Sequence, residues 1–430
     1  MEDDDLVAGR ISSEISSFGA KRVALQFPDG LLPSVWDVQS ALKRRIGDDV
    51  ELFVLADTSY GDCCVDEVAA EHVSCDLVVH FGHACLSPTR TLPVMYVPEK
   101  SIEKVDYSLL EGLVSKIRDS EPQAVVVVVP ELRYFGQVRD FTAAVVASPS
   151  VELNKIVKHH ESLGFGKFGR YVIPETASAP KEGRLAFIWV GSADSRTLRS
   201  VAVSLSAHLV HVFDPEAPDA DHSVAVGRVI TQRFAVVEKA RHAHRYGIVA
   251  GTLSVSGQSQ AIARCQKVIE KAERRSYTIC VGKPTLEKLR NFPEIEVFIV
   301  IACPENSLLS PKGFDRAVIT PMELIVALTD DDHLDPLQYS ADFNLAFSEN
   351  LKLEDEAEES REGTTSTDVS NRGDWSVQDV RGQGSAAAEL QRRSYVGMEY
   401  RTPEDAPTKA RKGKSGIAAQ YSDESDRLDW

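Results

Sequence analysis

Long apolar runs are missing from these 430 residues. No stretch approaches the roughly 18 apolar residues that a membrane-spanning helix needs, so no membrane contact is expected. Positive charge is also scarce: 48 Lys and Arg against 65 Asp and Glu leave a formal charge of −17. That balance argues against direct nucleic-acid binding, which wants clustered cations for phosphate, and against an anionic membrane surface. The first residues, MEDDDLVAGR, show neither a basic n-region nor an apolar h-region, so secretion is not expected. The seven cysteines are odd in number, show no CxxC spacing and do not resemble a small disulfide scaffold, which points to a reduced, cytoplasmic protein. No G-x-S-x-G elbow is present, against acyl transfer. The Gly/Ser-rich segment GTLSVSGQSQ (Gly251–Gln260) joins a strand to a helix, but it carries neither GxxxxGK[ST] nor GxGxxG. Turn geometry explains its glycines, although a helix N-terminus there offers N–H groups to an anion.

What is present is a succession of short, β-branched apolar runs. Arg22–Phe27, Glu51–Ala56, Asp76–Phe81 and Pro93–Val97 read as strands, with helical spacing over Leu31–Arg45 and again over Val105–Ile117. Strands apolar throughout, alternating with helices, predict a parallel sheet covered on both faces. The pattern restarts with Ala124–Val129, five valines behind an alanine, and continues with Arg184–Val190 and His208–Phe213. It restarts again, after a helix over Val224–His244, with strands Tyr246–Leu253, Ser276–Val281 and Val297–Ala302 and helices Ser259–Arg274 and Thr285–Asn291. The strand ends DLVVHFG, LAFIWVG and VFIVIAC recur at intervals of about 110 residues, suggesting three related units. The expected fold class is α/β: three similar domains over 1–120, 121–235 and 236–335, each with a small, mainly parallel sheet flanked by helices. Gly164–Gly183 reads as a loop. From about Asp335 the composition shifts, and 336–430 reads as an acidic linker with a C-terminal docking segment; Leu353–Ser385 has too few aliphatics to fold alone.

Four cysteines stand at the mouths of these strands. Cys63 and Cys64 lie in the polar turn YGDCCVDE after the Glu51–Ala56 run, Cys85 follows VVHFG, and Cys303 follows VFIVI. A buried cysteine is usually a small hydrophobe, and Cys75, Cys265 and Cys280, in helix-like or strand-interior contexts, are read that way. Of the other four, Cys63 and Cys64 lie in a Gly-containing turn and not in the apolar strand, and Cys85 and Cys303 each precede a loop with Pro and Ser, where the carboxyl-end crevice of an α/β fold places ligands. Soft thiolates select zinc or iron–sulfur iron. Structural zinc takes four ligands, whereas three thiolates around a cluster leave one iron open. His80 and His83 are candidates to complete a zinc site, His80 being better read as core because it alternates into a strand.

In this order, YGDCCVDEVAAEHV, HFGHACLSPT, LPVMYV, GTLSVSGQSQ, ACPENSLL and ITPMEL resemble motifs of the diphthamide-synthesis radical-SAM family, across roughly Arg22–Leu328, with RRSYVGMEY and GIAAQY resembling a C-terminal signature of its eukaryotic members. The resemblance implies three α/β domains around a central 4Fe–4S cluster. It implies a reaction in which S-adenosylmethionine supplies a 3-amino-3-carboxypropyl group to a histidine of elongation factor 2. Members with a catalytic cluster take one cysteine from each domain, whereas Glu121–Arg245 here has none. Cys85 is then the replacement, and the implied ligands are Cys63 or Cys64, Cys85 and Cys303. The implied partners are the paralogous diphthamide biosynthesis protein 1, as a heterodimer holding the catalytic cluster, and diphthamide biosynthesis protein 3 with a reductase as electron donor. S-adenosylmethionine would be a cofactor of the complex, bound here or only by the partner. The alternative is a scaffold whose cysteines hold zinc or nothing.

Overall fold

The computed structural model describes residues 2–55, 61–157, 170–172, 185–204, 209–218, 223–308, 314–329 and 340–348, together with 416–417 and 420–421. Residues 1–365 form one compact unit and residues 366–430 another. In the second, Gly416–Ile417 pairs antiparallel with Gln420–Tyr421. The expected acidic linker Leu353–Ser385 and the RRSYVGMEY segment lie outside the described residues, as does most of the expected Gly164–Gly183 loop.

Three sheets carry the first unit. The first contains β1 (Arg22–Gln26), β2 (Glu51–Val54), β3 (Leu77–Phe81) and β4 (Val94–Val97). The second contains β5 (Val125–Pro130), β6 (Val145–Val146), β7 (Leu185–Val190) and β8 (Leu209–Phe213). The third contains β9 (Arg245–Ala250), β10 (Arg275–Cys280), β11 (Val297–Ile301) and β12 (Ala317–Ile319). Numbered within its own sheet, each set runs in the order 2-1-3-4. All nine of the neighbouring pairs are parallel. A short antiparallel strand, Ile156–Val157, extends the first sheet beyond β4.

The period-two alternation of strand side chains explains why these runs are apolar throughout: each face has its own core. In the first sheet Val23, Leu25, Leu77 and Val79 pack with Ile11, Ile15 and Leu42 of the helices Glu2–Phe18 and Val35–Ile46. Ala24, Val78, Val94 and Tyr96 face the other way. The second sheet divides Val126, Val128 and Ile188 from Val127, Val129 and Trp189, and the third divides Ile248 and Ile299 from Val249 and Phe298.

The expected elements agree with those found to within a few residues, and the departures have local causes. The helix expected over Leu31–Arg45 starts at Val35, behind a 3-10 turn at Asp29–Ser34, because Pro33 has no N–H to continue an α-helical ladder. Cys280, expected in the core, is exposed. It ends β10, an edge strand with one face toward solvent. The helices Glu2–Phe18, Arg196–Ser204 and Pro321–Leu328 were not expected. Residues 340–348, beyond the composition shift, pack into the body through Phe343 and Phe347.

Candidate metal centre

Strands β2, β3 and β11 release their chains at the carboxyl ends of the first and third sheets, and these ends meet. The loop Gly82–Thr89 after β3 is tied to the loop that follows β9 of the third sheet by the Ser256 N–H donating to Pro88 O at 2.9 Å and by a bridge between Thr89 and Val255. Within this junction the sulfurs of Cys63, Cys64, Cys85 and Cys303 lie within 4.8 Å of one another, and all four residues are buried. Cys63 Sγ is 3.7 Å from Cys303 Sγ, and Cys64 Sγ is 3.9 Å from Cys85 Sγ. Among the described residues this is the group of side chains arranged to hold a metal.

Each sulfur is held by its own local chemistry. Asp66 accepts from the Ala69 N–H and so starts the helix Glu67–His72, closing the turn behind Cys63 and Cys64. Gln26, at the end of β1, donates to Cys64 O at 2.8 Å and accepts from the Asp66 N–H at 2.9 Å, pinning that turn to the sheet. The Cys85 N–H donates to Cys63 O at 3.0 Å. Glu67, with 1% exposure, accepts the backbone N–H groups of Arg90, Thr91 and Leu92 and anchors the far end of the Cys85 loop. Cys303 is the N-cap of the short helix Pro304–Ser307, whose Pro at the first position needs no N–H partner.

The electrostatics call for a cation. With no positive charge among them, four buried thiols cannot all ionise. The Cys85 thiol is held well below the usual range by hydrogen bonds from Cys303, Cys63 and Cys64. Those of Cys63 and Cys64 are pushed well up, chiefly by their hydrogen-bonded contact with Cys303, with burial adding to it. Four thiolates therefore require a bound cation or cationic cluster, the chemistry that soft sulfur ligands favour.

The two histidines do not join the four sulfurs. His80 is buried at the end of β3, and burial lowers its ring to about 4, so it is neutral near pH 7. His83 pairs instead with Glu305, Nε2 to Oε2 at 2.6 Å; burial pulls its pKa down, but the carboxylate outweighs that and raises it to about 9. Glu305 also accepts from Thr197 Oγ1 at 2.7 Å, so one carboxylate joins groups following strands of all three sheets. The second sheet supplies no thiol, but it supplies Thr197 and Arg196 from the helix Arg196–Ser204. Arg196 lies 3.3 Å from both Asp62 Oδ1 and Asn306 Oδ1. A cavity of about 300 Å³ opens beside the sulfurs, lined by Gly61, Arg196, Arg199, Lys283, Glu305 and Asn306 among others.

Cys75 and Cys265 are buried away from this group, and burial raises both thiols, Cys75 to about 11. Sequence reasoning did not find Gln26, Glu67, Ser87, Thr197, Arg196, Glu305 or Asn306. Four of these had a local signal: Glu67 follows Cys64 by three residues, Ser87, which accepts from Cys85 Sγ at 3.2 Å, follows Cys85 by two, and Glu305 and Asn306 follow Cys303 by two and three. In the GTLSVSGQSQ loop Gly257, at φ +83°, caps the helix Gln258–Lys271, and a Cβ there would collide with Asn344, while Gly251 lines the cavity.

Fold and site together define an α/β protein of repeated parallel sheets with a buried group of four cysteine sulfurs that could hold a metal. A family model described as "Putative diphthamide synthesis protein" matches residues 27–338. The chain belongs to this diphthamide-synthesis family. It is 33% identical to the 2-(3-amino-3-carboxypropyl)histidine synthase subunit 2 of Xenopus laevis over 94% of this chain and 89% of that protein. It is likewise 33% identical to the protein of that name from Schizosaccharomyces pombe, over 96% and 89%. The crystal structure of Dph2 from Pyrococcus horikoshii with a 4Fe–4S cluster has the same fold, with a TM-score of 0.56 at 22% identity, covering 78% of this chain and 94% of that one.

Proposed function

We propose that this chain is the cluster-bearing, assisting subunit of a 2-(3-amino-3-carboxypropyl)histidine synthase. The complex carries out the first step of diphthamide formation, transferring the 3-amino-3-carboxypropyl group of S-adenosylmethionine to a histidine of elongation factor 2. The observation that carries the assisting role is the convergence of four thiols. A 4Fe–4S group, when bound, takes up and releases single electrons, and three protein thiolates leave one iron for a substrate. Cys63, Cys64, Cys85 and Cys303 would together leave no iron open to a substrate, and so suit electron relay rather than substrate activation. The protein's share is to position the centre and set its potential.

On this reading the substrate-activating centre resides in a paralogous subunit, diphthamide biosynthesis protein 1, as a cytoplasmic heterodimer. Diphthamide biosynthesis protein 3 and a reductase supply the electrons. The cationic cavity lined by Arg196, Arg199 and Lys283 suits a carboxylate-bearing molecule such as S-adenosylmethionine, or an acidic donor surface, at its rim. The three sheets sharing one strand order support a division into α/β domains over 1–120, 121–235 and 236–335. Residues 336–430 would form the linker and docking segment.

A second reading has a specific observation in its favour. Metal–sulfur bonds of ~2.3 Å around one tetrahedral ion place the sulfurs roughly 3.8 Å apart. The 3.7 and 3.9 Å contacts match that spacing, whereas a cluster spreads four sulfurs wider and requires the cysteine side chains to swing outward. A zinc-holding scaffold that stabilises its partner is therefore the alternative. Anaerobic reconstitution followed by iron, sulfide and zinc analysis separates the two. Electron paramagnetic resonance of the reduced protein should be unchanged by S-adenosylmethionine, and modified elongation factor should form only when the paralogous subunit is added. Zinc without iron would overturn the cluster reading.

A further inference from the structure

Asn306 stands between the sulfurs and the cavity. Its Nδ2 lies 3.3 Å from Cys63 Sγ, 3.3 Å from Cys303 Sγ and 4.0 Å from Cys64 Sγ. Its Oδ1 faces the Arg196 guanidinium at 3.3 Å, which orients the amide so that its N–H groups, not its oxygen, turn toward the sulfurs. Arg196 is itself held by Asp62, the neighbour of Cys63. The space for this approach exists because residue 61 is glycine: a Cβ there would collide with Asn306 Nδ2. Asn306 also follows Cys303 by three residues in one helical turn, and its backbone N–H donates to Cys303 O at 3.0 Å. The donor therefore stays beside at least one ligand if the four sulfurs move apart around a cluster.

We infer that the Asn306 side-chain amide is a positioning residue for the metal centre: it donates hydrogen bonds to the Cys63 and Cys303 thiolates, and Gly61 and Arg196 hold it there so that the centre accepts an electron more readily. N–H groups aimed at ligand sulfur stabilise the negative charge that accumulates on reduction. The potential should therefore be higher with Asn306 than without it. In its redox form this inference rests on the cluster reading given above.

Two variants test it in the reconstituted full chain, by potentiometric titration followed in absorbance and electron paramagnetic resonance. Asn306→Leu keeps the approximate volume and excludes water but removes the donors. Gly61→Ala leaves Asn306 in place and pushes its amide off the sulfurs. Both should hold iron and sulfide at the parent level and both should show a lower midpoint potential. Iron-loaded Asn306→Leu with the parent potential would overturn the inference; if that variant loses iron, Gly61→Ala at the parent potential would do so. Should the parent chain take zinc and no iron, the cluster reading fails, and cobalt substitution then tests the hydrogen bond itself. The sulfur-to-cobalt charge-transfer band should shift between parent and Asn306→Leu, and an unshifted band would overturn the assignment.

Discussion

Two fully buried cysteines, Cys303 and Cys265, allow ligation to be separated from packing, since each has 0% exposure. Replacing either by Ala removes one sulfur from a packed site, a cost of about 1 kcal/mol for a deletion of roughly methyl size. Global stability should thus fall by similar amounts in the two metal-free variants. Metal binding should not. Cys303 Sγ stands 3.7 Å from Cys63 Sγ within the four-sulfur group, whereas Cys265 sits in the helix Gln258–Lys271, outside it. Apparent free energies of about 10–16 kcal/mol for structural zinc sites, shared among four ligands, come to roughly 3 kcal/mol per bond. Losing one bond then weakens binding by about two orders of magnitude. Anaerobic reconstitution at limiting iron and sulfide, with iron per chain measured after desalting, should give near-parent loading for Cys265→Ala and a deep loss for Cys303→Ala. Denaturant titration of both metal-free variants checks that each is folded. Equal iron retention in the two would refute the ligand assignment.

Other expectations follow from the same contacts. Replacing Cys63 and Cys64 together leaves two thiolates and should abolish iron binding, while either single variant keeps three and should still load at high iron; a fully loaded double variant would remove both from the ligand set. Glu67→Ala strands three backbone N–H groups that the carboxylate now accepts. It should cost about 1–3 kcal/mol and lower metal retention by loosening the Cys85 loop, and parent-like chelator resistance would count against that coupling. Glu323, with 0% exposure, pairs with Arg233 and closes a capping box with Thr320. Glu323→Ala should destabilise by about 3–5 kcal/mol because it leaves a buried guanidinium uncompensated. The double change Arg233→Met with Glu323→Leu should recover most of that in denaturant titration; no recovery would show that the pair's charge is not what matters.

Continuous apolar, β-branched runs exposed most of the fold to reading. The valines of β5 and the VFIVI of β11 can only be strands buried on both faces, and the structure differs from expectation there by single residues. Short or polar elements escaped: β6 has two residues and β12 three, too few to show a period. Among its described side chains the helix Glu2–Phe18 buries Ala8, Ile11, Ser12 and Ile15, a stripe too narrow to stand out as an apolar period. Cys280 misled because it ends a strand, RSYTIC, whose edge position cannot be read from the sequence.

For the site, sequence alone determined which thiols stand at strand mouths, because a strand's carboxyl end is a local property of pattern and turn residues. That singled out Cys63, Cys64, Cys85 and Cys303 and left the middle of the chain without a ligand. Only the tertiary structure decided that both members of the Cys63–Cys64 pair face one centre. That depends on Gln26 pinning their turn to a sheet formed 38 residues away from Cys64. Nor could the sequence supply Arg196 and Thr197, which reach Asn306 and Glu305 from a helix that follows another sheet. Convergence of this kind is set by how sheet ends abut, and no local pattern of residues encodes it.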